Sequence, residues 1–465
     1  MDAEELAAGI VSLAAWAQEN TPVREPVLRG RVRDHLGVDP AGLEVVTEEL
    51  SHYDHVNFQV ALDALAEETG ERPELLGLAL DHGFRVSLSE LAKSGGLGMS
   101  DEPGPAEFVQ VDVGDRVISC LRWGLLLVRH EGGPLVVLLA PDEHGEPGLV
   151  LQAMAPERVT AEQWLVHLRA LMRRHNVYRG KVVSFGGAHP FRPAPLSVRT
   201  LPAVAREQIV LPEEALERIE RHTAGLAQHR DRLRAAGRHV KRGLLLHGPP
   251  GTGKTLTVMY LAGLMPDRTV VLLAGEALGA VSPACRLARS LEPAMVVLED
   301  VDLIARNRVH FQTTPFLFEL LNAMDGLDED ADLIFVLTTN RPEDLEPALA
   351  SRPGRVDLAV ELPLPDAGAR RRLFDLYGRG LELDVEDWEP VVAATDGTSP
   401  AFIRELYRRA TLAAAEAGEE RVTGARLRAA VGELKDRSGR LTASLLGAAS
   451  PAQAGAGPAP TVVVE

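Results

Sequence analysis

Gly248-Pro249-Pro250-Gly251-Thr252-Gly253-Lys254-Thr255 lies between an apolar run, residues 243–247 (GLLLH), and a segment of helical character, residues 256–265 (LTVMYLAGLM). The eight residues fit G-x-x-x-x-G-K-[ST], and strand, loop and helix in that order are the context the motif requires. Glycines let backbone N–H groups turn inward around phosphates at the positive end of the following helix. Lys254 is therefore read as the partner of the β- and γ-phosphates, and Thr255 as a hydroxyl ligand of Mg²⁺. Gly248, Pro249, Pro250, Gly251, Thr252, Gly253 and Leu256 complete the expected nucleotide contacts, and ATP with Mg²⁺ is the expected ligand.

Working outward, a second apolar run, residues 295–298 (MVVL), ends in Glu299-Asp300 and continues as Val301-Asp302. Acids at the C-terminal end of a strand beside a phosphate loop fall where metal and attacking water are handled. Further runs at residues 269–273 (TVVLL) and 333–337 (LIFVL) are separated by helical segments. That alternation is the signature of a parallel sheet buried on both faces. The expected fold class is α/β: a P-loop NTPase parallel sheet over residues 206–365 and a helical lid over 366–440. An α+β accessory region over 1–190 and a Pro-rich linker over 191–205 precede it. The low-complexity tail, 441–465, is expected to be disordered.

From about Leu201 to Asp436 the chain resembles the AAA family of ATPases, in a bacterial-type form with a single AAA domain and a C-terminal helical lid. Besides the phosphate loop, the resemblance rests on Leu337-Thr338-Thr339-Asn340, then Arg341-Pro342, Leu345, Pro347-Ala348-Leu349 and Arg352-Pro353-Gly354-Arg355. These look like the second region of homology that separates AAA proteins from other P-loop NTPases. The resemblance implies that Asn340 is sensor 1, orienting the attacking water, and that Arg352 and Arg355 are arginine fingers reaching a neighbouring subunit's site. It therefore implies a homo-oligomeric ring, a hexamer, acting on a protein client. Ile209-Val210-Leu211-Pro212 takes the place of the adenine-contacting segment. Thr395-Asp396-Gly397-Thr398-Ser399-Pro400-Ala401 resembles the start of the lid helix that bears sensor 2, and Arg404 follows one turn on.

Two departures from the family pattern matter for mechanism. Most members end the second motif in Asp-Glu, whereas this chain has Glu299-Asp300, an order shared by a few AAA groups. By position Glu299 is expected to support Mg²⁺ and Asp300 to act on the water. The second departure is Ala274-Gly275-Glu276-Ala277-Leu278-Gly279-Ala280, where threading members carry a pore-loop aromatic and this chain has none. Leu278, or Phe311 in the loop after the second motif, is the nearest substitute.

Before about residue 100 the spacing reads as helical, as in residues 4–17 and 56–69, and a Gly- and Pro-rich joint follows at 94–105. Between Glu107 and Met154, short apolar or alternating runs separated by turns predict an antiparallel strand cluster, with Gly132-Gly133 as a hairpin signal. Thr160 with Gln163 reads as the capping box of a helix to about His175, and residues 181–185 (KVVSF) as a last strand of this region.

With 465 residues, 45% of them apolar, two or three domains are expected. The formal net charge of -18 opposes a general nucleic-acid or membrane-surface binder. Cys120 and Cys285 have no metal-ligand spacing, the first residues are acidic rather than signal-like, and no apolar run is long enough to span a bilayer. These features set the expectation of a cytoplasmic protein with no membrane span. His130-Glu131 is followed by Gly132-Gly133, which does not make a helical zinc-protease motif. The leading reading is an ATP-hydrolysing ring ATPase that remodels or moves a protein client. The alternative is a nucleotide-gated assembly scaffold with slow or no hydrolysis.

Overall fold

The structure, a computed structural model, describes residues 12, 26–78, 87–93, 103–141, 148–187, 194–302, 331–345 and 356–435. The chain separates into two units, Met1–Val177 and Tyr178–Glu465.

In the first unit, β1 (Val45–Ser51), β2 (Glu74–Leu78), β3 (Pro103–Gly104), β4 (Glu107–Asp112), β5 (Val117–His130), β6 (Gly133–Pro141) and β7 (Gly148–Met154) form one sheet. Its order is β1-β7-β6-β5-β2-β3 with β4 against β5, and each pairing is antiparallel. Successive side chains of a strand point to opposite faces, and here both faces are covered. Leu125 and Leu127 of β5, with Val136 and Leu138 of β6, share a core with helices Val27–Leu36 and Leu88–Ala92. Leu126, Val128, Leu135 and Val137 instead pack with Phe58 and Trp164, from helices His55–Thr69 and Arg158–Arg174. The hairpin signal holds: His130 pairs with Gly133, whose φ of 120° suits only glycine.

Three readings of this region need correction. Residues before 100 are not helical throughout, since β1 and β2 are strands. Their short sequences, VVTEELS and ELLGL, gain their conformation from pairing with β7 and β5. Thr160 does not cap the helix: the helix begins at Arg158, and the Thr160 hydroxyl donates to the Gly132 carbonyl at 3.2 Å, tying the helix to the hairpin turn. Residues 181–185 do not close this unit, as the next sheet shows. The helical segment expected at 4–17 lies outside the described residues, apart from Ser12.

The second unit is built on β8 (Val182–Phe185), β9 (Leu196–Arg199), β10 (Arg242–His247), β11 (Thr269–Ala274), β12 (Ala294–Glu299), β13 (Leu333–Thr339) and β14 (Leu358–Glu361). Their order is β14-β10-β13-β12-β11-β8-β9, parallel except for β9. The four apolar runs read from the sequence are β10 to β13, and their residues form the buried centre. β8 joins the edge of β11, with Val182 beside Val270, and β9 folds back on it. The unit boundary therefore falls at Val177–Tyr178 rather than at 190, and part of the expected linker is strand. A run as short as VVSF carries no sequence mark of which sheet it joins.

The lid has its own core. Leu373 and Phe374 from helix Ala367–Tyr377, Phe402, Ile403 and Leu406 from helix Pro400–Glu416, and Leu427 and Val431 from helix Gly424–Lys435 are all buried together. Ser399 caps the middle helix by accepting from Phe402 N at 3.2 Å, and Pro400 occupies its first turn, where a missing N–H costs nothing.

Candidate nucleotide site

The site lies at the C-terminal ends of β10, β12 and β13. Leaving β10, the chain turns at Gly248, whose φ is 142°. A Cβ there would meet the Leu362 carbonyl oxygen at 2.3 Å, because Leu362 N donates to His247 O at 2.7 Å and holds the end of β14 against the loop. Gly253, at φ 100°, opens helix Lys254–Leu264. Lys254 is buried, and its ammonium donates to the carbonyls of Gly248 and Pro249, each at 2.9 Å. Burial lowers its pKa, while the charges of Asp300 and Asp302 act the other way. The Thr252 hydroxyl donates to Pro249 O at 2.9 Å, so the loop is braced from within.

Thr255 is exposed at the mouth of the loop, with its side chain near enough to the Glu299 carboxyl at the end of β12 to favour the charged form. Burial raises the Glu299 pKa above the usual carboxylate value, the nearby Thr255 hydroxyl acts to lower it, and the Asp300 charge to raise it. Its Oε1 is buried with no hydrogen-bond partner among the described residues. A desolvated carboxylate oxygen beside an exposed threonine hydroxyl is an oxygen donor set that fits Mg²⁺, and Glu299 and Thr255 are the residues that would hold it.

Asp300 has φ 52°, in the left-handed region that non-glycine residues rarely adopt. Its N–H donates to Thr338 Oγ1 at 3.0 Å, and its Oδ1 accepts from Asn340 Nδ2 at 3.2 Å. The structure thus brings together Lys254, Thr255, Glu299, Asp300 and Asn340, all named from sequence. Asp302, noted only as an acid trailing the motif, is 3% exposed and accepts from Thr339 Oγ1 at 2.9 Å and Asn340 N at 3.1 Å. Its position three residues past the strand end was the signal for it, and nothing in the sequence marked its partners.

Ile209 is buried in the core under the large sheet, whereas its neighbour Val210 packs against the lid core. Leu256 packs on the large core. The lid touches the loop directly, through Ala401 N donating to Gly251 O at 3.2 Å. Arg404 is exposed on the lid helix, and its charge acts on Tyr377, whose pKa is raised by burial. Arg352, Arg355 and Phe311 lie outside the described residues. Gly275–Ala280 is a 3-10 turn in which Ala277, Leu278 and Ala280 are buried, Leu278 completely.

A parallel sheet of this order, with a Gly-rich loop, acids on the adjacent strand end and a helical lid, defines a P-loop nucleotide-binding protein. Residues 244–364 match the family described as "ATPase family associated with various cellular activities (AAA)". The chain carries an AAA-family ATPase domain. It is 34% identical over 224 residues to a 26S proteasome regulatory subunit 6B homolog of Encephalitozoon cuniculi, an alignment that covers 45% of this chain and 58% of that protein. It is 30% identical over 268 residues to an ATP-dependent zinc metalloprotease FtsH 1 of Sphaerobacter thermophilus, covering 54% of this chain and 40% of that protein. The chain thus spans about half the length of the curated relatives it matches. Among the described residues no helix is long and apolar enough to cross a membrane.

Proposed function

We propose that this protein is a Mg²⁺-dependent ATPase that assembles as a homo-hexameric ring in the cytoplasm and uses hydrolysis to remodel or move a protein client. The observation that carries the reading is the orphaned Glu299 Oε1 beside Thr255, with the bonded pair Asp300 and Asn340 close enough for the Asp300 charge to act on Lys254. Lys254 exchanges two backbone carbonyls for phosphate oxygens. Held by Thr255 and Glu299, Mg²⁺ would supply charge neutralisation for the phosphates. Asp300 takes the proton of the attacking water, and Asn340 orients that water, in line with the positioning and electrostatic demands of phosphoryl transfer. Ile209 and Val210 flank the adenine, and Arg352 and Arg355 of a neighbouring subunit stabilise the transferring group.

Threading by an aromatic paddle is not part of the reading, because Leu278 is buried within its own subunit. The same observation favours a second reading, a nucleotide-gated scaffold that releases partners on slow hydrolysis. The protease activity in the second relative's name is not carried over, since the 465 residues contain no H-E-x-x-H. The test is phosphate release with Mg²⁺-ATP: Lys254→Ala should abolish it together with nucleotide binding. Turnover unchanged in Lys254→Ala would sink the ATPase reading, and tight ATP binding with negligible wild-type turnover would select the scaffold.

A further inference from the structure

We propose that Asp302 is a positioning residue for hydrolysis: its buried carboxylate fixes Asn340, and through Asn340 the acid Asp300. The inference rests on the nucleotide-site reading above. On the β12 side the pairing of β13 ends at Leu298 and Leu337, and on the β10 side it ends at His247 and Thr339, so Asn340 itself lies just beyond both ladders. What holds Asn340 beyond them is a set of bonds to side chains. The Thr339 hydroxyl accepts from Arg341 N at 2.9 Å and donates to Asp302 Oδ1, and the same oxygen accepts from Asn340 N. One buried oxygen thus holds the turn at the two residues where the sensor side chain departs. On the opposite side, Thr338 receives Asp300 N at its hydroxyl and Val301 N at its carbonyl, each at 3.0 Å.

Asn340 and Asp300 therefore meet at 3.2 Å because both backbones are pinned, one by Asp302 and the other by Thr338. Burying a carboxylate costs stability unless it is well paired. Asp302 Oδ1 accepts from a hydroxyl and an amide, with the Lys254 ammonium within electrostatic reach. At 3% exposure Asp302 does not face the loop mouth as Thr255 does, so it acts through its neighbours rather than on nucleotide. A displacement of order 1 Å at a reacting group costs about 10²-fold in rate. Asn340 has no other backbone anchor of comparable directness in the described structure.

The test separates binding from turnover in the full chain, using a fluorescent ATP analogue for affinity and phosphate release for kcat. Asp302→Leu should lower kcat by about 10²-fold while analogue affinity stays within about threefold. Asp302→Asn keeps an acceptor oxygen and should restore kcat to within about threefold of wild type. Adding Asn340→Ala to Asp302→Leu should cost little more, because the two act as a unit. Equal loss in Asp302→Asn, or full additivity with Asn340→Ala, would overturn the proposal. If Asp302→Leu does not fold, Thr339→Val removes one donor at constant bulk and should lower kcat about tenfold with affinity kept; an unchanged kcat would also overturn it. Failure of the underlying reading shows separately, as a wild-type protein that binds no analogue, and that result overturns both.

Discussion

The side-chain amide of Asn340 donates to Asp300 Oδ1 at 3.2 Å, so two side chains that follow the neighbouring strands β13 and β12 are in direct contact before any nucleotide chemistry is considered. The neighbouring acid, Glu299, faces Thr255 instead. Under the proposed roles, the Glu-Asp order would divide the work by direction: one acid toward Thr255, the other toward Asn340.

From that division, Asp300→Asn should still bind ATP and hydrolyse it at least ~10²-fold more slowly, the loss expected for a general base. Glu299→Gln should instead raise the Mg²⁺ concentration needed for half-maximal rate. Mg²⁺ titrations of both variants check the assignment, and an unaltered Mg²⁺ requirement in Glu299→Gln with a collapsed kcat would reverse the two roles.

Gly248→Ala places a methyl 2.3 Å from the Leu362 carbonyl and forces a side chain into φ 142°. Strain of this kind costs on the order of 1–3 kcal/mol. The loop should shift and nucleotide affinity should fall at least ~10-fold. Calorimetric titration with ATP reads the loss, and wild-type affinity would show that the loop tolerates the clash.

If Arg352 and Arg355 serve a neighbour's site, Arg355→Ala and Lys254→Ala subunits should each be inactive alone and recover part of the turnover when mixed. Mixing restores interfaces that pair an intact loop with an intact finger. A monomeric protein whose turnover survives Arg352→Ala with Arg355→Ala would remove the ring from the reading.

Leu278→Ala should destabilise the second unit by about 2–5 kcal/mol, the usual cost of truncating a fully buried leucine. Urea unfolding measures this. The variant should not lose client handling selectively, so a stable Leu278→Ala protein that alone fails to unfold a tagged reporter would restore a gripping role to this turn.

His55 donates from Nε2 to Leu121 O at 2.6 Å and is buried, and burial is the main cause of its lowered pKa. The folded state therefore resists protonation that the unfolded state accepts near 6.5. Stability is full above that value and falls as pH drops below it, by at most about 1.4 kcal/mol per pH unit for one proton. His52, also lowered by burial, adds to the trend, and Asp54, raised by burial, opposes it at lower pH. The measurement is thus a difference: fluorescence-monitored urea unfolding of the full chain should show a shallower pH slope below 6.5 in His55→Gln. Equal slopes would contradict the assignment.

Much of the nucleotide site was legible because its chemistry is local. The loop needs glycines and a lysine in fixed order, and buried parallel strands need unbroken aliphatic runs. What escaped is what depends on partners distant in sequence. Val182–Phe185 reads the same whether it ends one sheet or edges another. Val45–Ser51 alternates too weakly to announce a strand until β7 lies beside it. Thr160 matches a capping pattern, yet its hydroxyl finds Gly132 more directly. Leu278 looked like a loop residue, and only packing shows that it is core. Asp302 was visible as an acid, but its role comes from bonds to residues on another strand.

Ile209 and Val210 are consecutive, and each is moored in a different body. The backbone between them is extended, with φ -93° and ψ 102° at Ile209, so adjacent side chains diverge to opposite sides. If this segment flanks the base as proposed, a bound purine would lie where two separately packed cores meet, touching one side chain rooted in the sheet and one rooted against the lid, so its presence would be felt by both at once.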